Sequence, residues 1–436
     1  MTCGTTGLGS AAAPWMHLLY GSVDPLVFLV EGSRLFATTS SFHAALASGD
    51  EGAITQLRGM AATQQPRATA VRPRQPIALS LNLAQSCNLA CVYCYADQGR
   101  FGGAPRIMTE PVAFAAIDTF LAGADGPPLT LGFIGGEPFL ARDLLHACVR
   151  RAAIAAAAND LDLRFSVTTN GTLLTEADRV LLRQHPFAVT VSIDGGRSVH
   201  DRQRPDRTGR GSFAAVLAGV GPLLREPGRA RLSARVTIGR DNLGIVERVA
   251  ELTHLGFHDV GVSPLRTAPD PSLILSDGDW RHFLGAMIEA ANIEWQCVRE
   301  GAAPRFANLW IALKEIHRGS AKPLPCGAAL SYVSLDVEGR YHTCHRTIGD
   351  ARFALGSLAT GLDEAAREAF LSARLVDQQE PCRQCWARYL CGGGCHAEVV
   401  TAGRTSCEYI RGWLEYCLVR YDDVIRERPE LIEEPS

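Results

Sequence analysis

The chain has 436 residues, 47% of them hydrophobic and 20% charged, with a net charge of −3. That length exceeds one ordinary core and implies two or three domains. The near-neutral balance gives no electrostatic footprint for nucleic acid, and no apolar run reaches the roughly 18 residues of a membrane span. Met1 to Pro14 is small and polar, with no basic start and no clear cleavage site. No signal peptide is expected, and the expected location is cytoplasmic. Fourteen cysteines in such a chain point to metals or clusters before disulfides.

In chain order, residues from about Met16 to Met60 read as a small separate unit. Leu26–Glu31 and Arg34–Thr39 are strand-like and joined through Gly32-Ser33, a hairpin signal. Helices follow over Phe42–Ala47 and near Ile54–Leu57. Gln64–Gln75, rich in Pro, Arg, Ala and Gln, reads as a linker. From Pro76 a β–α beat begins. The strands are Ile77–Leu83, Leu129–Gly135, Leu163–Thr169, Ala188–Asp194, Leu232–Ile238 and Asp259–Leu265. Between them lie helix-period segments at Thr109–Ala124, Ala141–Ala157, Glu176–Gln184, Ser212–Leu224 and Leu243–Leu255. Six such beats imply an α/β fold with a parallel sheet and helices outside it, either doubly wound or a partial barrel. Arg266–Pro325 is helical in pattern, with Asp279–Arg299 its longest piece. After Cys326 come many cysteines, the short strands Tyr332–Val337 and Gly339–Thr343, and Gly-rich turns. Such a segment buries little apolar area per residue, so bound metal is expected to organise it.

Cys87, Cys91 and Cys94 follow directly on the first strand. A closed structural zinc site takes four ligands, and here a distant His or Cys would have to complete it. A cubane iron–sulfur cluster on three cysteines keeps one iron free for a small ligand. The place also fits function, because ligands of parallel β/α folds bind beyond the C-terminal strand ends.

The spacing C-x3-C-x2-C, with Tyr93 before the last Cys, resembles the signature of the radical S-adenosylmethionine (radical SAM) enzymes. Gly135-Gly136-Glu137-Pro138, Thr169-Asn170-Gly171-Thr172, Ser192-Ile193-Asp194-Gly195 and His200–Pro205 extend that resemblance along successive strand ends. It implies a partial (β/α)6 radical SAM barrel with a [4Fe–4S] cluster on Cys87, Cys91 and Cys94. The open iron would chelate S-adenosylmethionine, and reduction would release a 5′-deoxyadenosyl radical. By the same resemblance Tyr93, Gly135, Gly136, Glu137, Ser192, Arg204 and Leu265 would bind S-adenosylmethionine, with Gly135–Pro138 at its amino group and Arg204 as a bidentate partner of its carboxylate.

The C-terminal array of Cys326, Cys344, Cys382, Cys385, Cys391, Cys395 and Cys407 resembles the SPASM extension of peptide-modifying radical enzymes. The resemblance implies two auxiliary [4Fe–4S] clusters, three in all. Cys382, Cys385, Cys391 and Cys407 would hold one; Cys326, Cys344 and Cys395 would hold the other. The latter lacks a fourth thiolate, leaving an open iron or a place for His342 or His345. Zinc on the Cys-x2-Cys pairs is the competing reading, and Cys417 competes with Cys407 as last ligand. Cys148 and Cys297 read as small core residues.

Sulfatase maturases of this family place an Asp base directly after the cysteine at Cys344, where this chain has His345. The Cys344-His345-Arg346 run and Phe353–Gly356 are more similar to maturases that form thioether or carbon–carbon cross-links in ribosomal peptides, including the quinohemoprotein amine dehydrogenase maturases. Formylglycine generation is the enzymatic alternative, and a zinc-organised interaction protein the non-enzymatic one. The expected partners are a peptide or protein substrate with or without a leader sequence, and an electron donor such as flavodoxin or ferredoxin. No nucleic-acid or membrane partner is expected. The expected organisation is residues 1–72 as an N-terminal α+β unit plus linker, 73–265 as the radical SAM core, 266–325 as a helical bridge and 326–436 as the SPASM domain. The N-terminal unit resembles, in shortened form, winged-helix modules that bind leader peptides by strand addition; a packing arm on the barrel is the other reading.

Overall fold

The computed structural model describes residues 14–62, 75–122, 124, 128–319 and 321–433. Apart from Gln75, the expected linker lies outside the described residues, as does Cys3. The N-terminal unit is an antiparallel sheet of β1 (Met16–Tyr20), β2 (Pro25–Leu29) and β3 (Arg34–Ala37). It is followed by α1 (Ser40–Ser48) and α2 (Glu51–Ala62). Side chains alternate across β2. Val27 and Leu29 pack with Leu46 and Leu57 of the two helices, whereas Leu26 and Phe28 join the main core. Strand β1 went unmarked in the sequence.

The beat from Pro76 resolves into β4 (Ala78–Ala84), α3 (Glu110–Leu121), β5 (Leu129–Gly135), α4 (Arg142–Ala158), β6 (Leu163–Thr169), α5 (Glu176–Gln184), β7 (Phe187–Ser192), α6 (Arg197–Gln203), α7 (Phe213–Arg225), β8 (Arg231–Ile238), α8 (Ile245–His254) and β9 (Asp259–Pro264). Each strand pairs in parallel with the next. The expected α/β architecture with a parallel sheet is therefore present, and each of the six strands falls within two residues of its expected limits. Parallel order brings every strand's C-terminal end to one rim, where the motifs lie.

α9 (Asp277–Arg299) and α10 (Ala307–His317) follow. The edge of β9 is covered: Val260 donates to Arg305 O at 2.8 Å, and the Asn308 amide pairs with both backbone groups of Val262. Such cover prevents strand addition there. At the other edge β10 (Tyr332–Leu335) pairs in parallel with β4, and β11 (Arg340–His342), β12 (Ala354–Ser357) and β13 (Gly361–Leu362) continue it antiparallel. The barrel sheet thus grows to ten strands and crosses the expected boundary into the cysteine-rich region.

The remaining helices are α11 (Glu364–Arg374), α12 (Arg388–Cys391), α13 (His396–Ala402) and α14 (Cys407–Glu427). Aromatic contacts seat α14 on the helical bridge: Tyr409 stacks on Trp280 at 5.6 Å, and Trp413 meets Phe306 at 6.2 Å. The N-terminal sheet docks on the same region. His17 stacks on Trp386 at 4.0 Å, and its Nε2 lies 3.1 Å from Glu415 of α14. Cys148 is buried in the core as expected, but Cys297 is exposed on α9, a correction to its core reading. Among the described residues no helix is long and apolar enough to cross a membrane.

Candidate active site

The three cysteines lie on the loop that leaves β4. Two neighbours hold that loop. On one side Gly136 crosses it so closely that a Cβ there would meet Ser86 O at 2.1 Å, and the Glu137 amide donates to the same oxygen at 2.9 Å. Only glycine allows this approach. On the other side the segment after α6 clamps it. Ala90 and Val92 donate to Pro205 O and Gln203 O, and Arg207 Nε donates to Cys87 O at 2.8 Å. The motif after β6 grips it from above: Asn170 donates to Asn88 Oδ1 at 2.9 Å, and Asn88 donates to Thr172 Oγ1 at 2.8 Å.

Burial pushes the Cys87 thiol up to about 12, with Glu137, Cys91 and Cys94 adding to it. Burial likewise raises Cys91 to about 11, opposed by the Arg204 charge. Cys87 and Cys91, buried beside a further cysteine, both resist ionisation. A cationic centre bound between them removes that conflict, which is the fit a cluster on three thiolates requires. Donors already face the sulfurs: Leu89 N–H at 3.4 Å and Asn170 Nδ2 at 3.7 Å from Cys87, and Arg204 Nη1 at 3.9 Å from Cys91. Hydrogen bonds of this kind tune cluster sulfurs.

Two buried carboxylates organise the rim. Glu137 accepts from Thr169 Oγ1 and the Asn170 amide, both at 2.7 Å, and from the Phe139 amide at 3.2 Å. Its carboxylate therefore joins the ends of β5 and β6 rather than facing outward. Asp194, at the end of β7, takes Arg204 Nε at 2.8 Å and Nη2 at 3.2 Å, the Thr237 amide at 2.9 Å and the Tyr93 hydroxyl. Arg204 also lies 5.2 Å over the Tyr93 ring. The bidentate fork expected for a ligand carboxylate is thus taken by Asp194, and only Nη1 of Arg204 points toward the cysteines. The reason is proximity: α6 returns Arg204 directly over the turn that carries Asp194. Ser192 ends β7 facing the barrel lumen, and Leu265 is buried at the end of β9, its amide on Ile238 O.

In the C-terminal region Cys382, Cys385, Cys391, Cys395 and Cys407 ring a cavity of about 280 Å³. Its wall is cationic. Arg404 Nε donates to Cys382 Sγ at 3.2 Å, and Arg411 lies against Cys385 and Cys407. Gly392, Gly393 and Gly394 all have positive φ, and a Cβ on Gly392 would meet Pro325 at 2.5 Å. This turn aims the amides of Gly393 and Gly394 at Cys391, whose thiol burial raises to about 11. Thiols, guanidinium groups and backbone amides together suit an anionic thiolate cluster. Among the described residues no group of three His, Cys, Asp or Glu converges on a single-ion position. Cys407 begins α14 at this cavity, while Cys417 is fully buried in the core nearly three turns on.

Cys326, Cys344 and Cys395 lie close enough to influence one another. Burial first, and the neighbouring cysteines after it, raise Cys326 and Cys344. Neither nearby histidine is free on both nitrogens. His342 Nε2 lies 3.1 Å from Asp336, its Nδ1 buried without a partner, and His345 Nδ1 meets the Tyr332 hydroxyl at 3.0 Å.

Between the two cysteine regions opens a cleft of about 350 Å³, walled by Tyr95, Thr267, Arg346, Asp350 and Glu398. Tyr95 follows Cys94 directly, is influenced by both Cys94 and Cys344, and carries Arg346 5.1 Å over its ring. Both cleft carboxylates are held by arginines. Glu398 accepts from Arg346 at 2.6 Å and Arg266 at 3.3 Å; Asp350 accepts from Arg352. Sequence reasoning missed Asn88, Tyr95, Asp194 and Glu398 as site residues. Asn88 and Asp194 stood inside quoted motifs and Tyr95 directly after one, but their partners are long-range.

Residues 81–229 match the family model of the Radical SAM superfamily. The serine-type anaerobic sulfatase-maturating enzyme of Klebsiella aerogenes is 24% identical over 358 residues, 78% of this chain and 85% of that protein. A structure of polyhistidine-tagged anSMEcpe with bound AdoMet superposes with a TM-score of 0.70 at 19% identity, covering 82% of this chain and 98% of that one. Streptococcus suis SuiB bound to S-adenosylmethionine gives 0.54 at 12% identity, covering 91% and 98%. These structural likenesses establish the fold.

His200 supplies a pH test of the rim. Its Nδ1 accepts the Asp194 amide at 3.3 Å, and its Nε2 lies 3.0 Å from Ser212 Oγ, which itself donates to Arg204 O. That arrangement fixes the neutral tautomer. Burial, and then the Arg204 charge, lower its pKa from 6.5 to about 4. The unfolded chain takes up the proton first, so stability present above pH 6.5 is lost as pH falls through about 4, by roughly 3 kcal/mol. Denaturant midpoints between about pH 7 and about pH 5 should fall more steeply for the parent than for His200→Gln. Equal slopes would contradict the buried neutral imidazole.

Proposed function

We propose that this enzyme, whose barrel is a radical SAM domain, installs an intramolecular cross-link in a ribosomally made peptide, as a thioether or a carbon–carbon bond. The domain implies S-adenosylmethionine and a [4Fe–4S] cluster, here assigned to Cys87, Cys91 and Cys94. Cys87, Cys91 and Cys94 would hold that cluster, which would supply the one-electron reduction that starts radical chemistry from S-adenosylmethionine. The chain's own residues position this chemistry. Asp194 and Arg204 hold the cysteine loop against Tyr93, Asn170 orients Cys87, and Gly135 and Gly136 give the backbone room at the rim. We assign two auxiliary clusters to Cys382, Cys385, Cys391 and Cys407 and to Cys326, Cys344 and Cys395.

The observation that carries the reading is the cleft at Tyr95. One wall adjoins Cys94, and the other adjoins Cys344 and Arg346. A peptide lying there meets the first ligand set with one residue and the auxiliary set with another, as a cross-link between two residues requires. Solved neighbours named as peptide complexes, anSMEcpe with a Cp18Cys peptide and SuiB with precursor peptide SuiA, support a peptide as the substrate class. An electron donor such as flavodoxin or ferredoxin completes the proposed partners.

The second reading is formylglycine formation in a sulfatase, favoured by the names of the 24% identical relatives. Against it stands the base. His345 occupies the position after Cys344, and both cleft carboxylates are tied to arginines. Mass spectrometry of the peptide product separates the two. The cross-link reading predicts loss of two hydrogens and a residue pair that stays joined on fragmentation. A hydrazide-reactive aldehyde at a single Cys or Ser would replace it with the sulfatase reading.

The anaerobically reconstituted chain should carry roughly 11–12 irons. Cys407→Ala should lower that number and Cys417→Ala should leave it unchanged. The reverse result would reassign the last ligand.

A further inference from the structure

Along β8 the apolar residues Leu232, Ala234, Val236 and Ile238 are buried, and the alternate positions Ser233, Arg235 and Thr237 face the barrel lumen. Arg235 is in register with Ser192 of β7 and Gly261 of β9, so the three share the lumen face. Its guanidinium lies across Gly261. A Cβ there would stand 2.3 Å from Nη1 and 2.9 Å from Cζ, so the missing side chain of Gly261 is what admits the arginine. Arg235 stays accessible to solvent, yet enough protein surrounds it that burial lowers its pKa. A side chain projecting into an open cavity has both properties.

Among the described residues the Arg235 guanidinium makes no hydrogen bond or ion pair; only the backbone is engaged, the carbonyl accepting the Ile193 amide at 3.1 Å. The nearest opposite charge, Asp259, is engaged by Ser233 at 3.0 Å and Arg231 at 3.5 Å. A guanidinium that projects into an open cavity with no protein partner has its fork of donors free for an anionic ligand. Arg204, the other arginine of this rim, already has its fork closed by Asp194.

We propose that Arg235 is a carboxylate anchor inside the barrel, beside Ser192. Its planar fork of donors matches a carboxylate in bidentate geometry. Two carboxylates reach the lumen of such an enzyme: that of S-adenosylmethionine and that of an acidic side chain in the substrate peptide. The inference rests on the radical SAM peptide-modifying reading and adds the charge that the lumen recognises.

The test compares the parent with Arg235→Gln and Arg235→Lys after anaerobic reconstitution, with iron content and cluster absorbance measured first. Arg235→Gln removes an unpaired charge, so its thermal midpoint should be no lower than the parent's. Equilibrium dialysis then measures binding of S-adenosylmethionine and of its decarboxylated analogue. In parallel, phenylglyoxal labelling of Arg235 is read by peptide mass spectrometry, with N-acetylglutamate α-amide and N-acetylglutamine amide as probes. If the anchor holds S-adenosylmethionine, Arg235→Gln weakens its binding about tenfold or more. Arg235→Lys weakens it less, and the decarboxylated analogue binds all three alike. If the anchor holds the peptide, S-adenosylmethionine binding is unchanged, and the glutamate probe but not the glutamine probe protects Arg235 from labelling. The proposal is overturned if neither carboxylate protects Arg235 and binding is unchanged, or if the decarboxylated analogue loses as much affinity as S-adenosylmethionine. A parent that assembles no cluster or binds no S-adenosylmethionine would instead overturn the wider reading.

Discussion

Asp194 lies where the ends of β7 and β8, the cysteine loop and the segment after α6 converge. Its two oxygens take the Arg204 fork, the Thr237 amide and the Tyr93 hydroxyl. All of these groups are buried or nearly so. Removing one partner of a buried ion pair leaves a desolvated charge and costs about 3–5 kcal/mol. The remaining geometry of the rim depends on this contact. It anchors the ring of Tyr93, holds the Arg204 charge near Cys91, and fixes the segment whose carbonyls receive the amides of Ala90 and Val92.

The second constraint is the continuity of the sheet. Because β10 adds to β4 in parallel, the strand that launches the first cysteine loop is flanked by the strand that leads toward Cys344. Two cysteine-bearing regions are thereby set across one cleft by a single continuous sheet. Glu398 reinforces the arrangement, since its two arginines come from the segment after β9 and from the turn after Cys344. The N-terminal sheet docks on α14 and Trp386 through aromatic stacking, so all three cysteine groups belong to a framework tied together at both ends.

Much of this was legible in the sequence. The six parallel strands bury one face against helices, and their apolar runs recur between strong turn and capping signals. Thr175, with its capping box onto Asp178, is one such signal. The short elements were not legible. Strand β1 is a five-residue run whose pairing with β2 is a tertiary matter, and β12 and β13 are held by neighbouring strands rather than by propensity. Helix α11 did carry a signal that went unused: Asp363 before an amphipathic run, its side chain accepting the Ala366 amide at 2.9 Å. At the site, motif residues located the rim, but their partners required the fold. Nothing in the sequence marked Arg204 as the partner of Asp194, or Arg235 as a cation over Gly261, because these contacts depend on strand register and on a helix return.

The central claim is that Cys87, Cys91 and Cys94 together hold the cluster that cleaves S-adenosylmethionine. The most direct measurement is 5′-deoxyadenosine release by the reduced, reconstituted triple variant Cys87→Ala/Cys91→Ala/Cys94→Ala. The account predicts no release and a loss of about four irons, with the auxiliary irons retained. Release at the parental rate would contradict it.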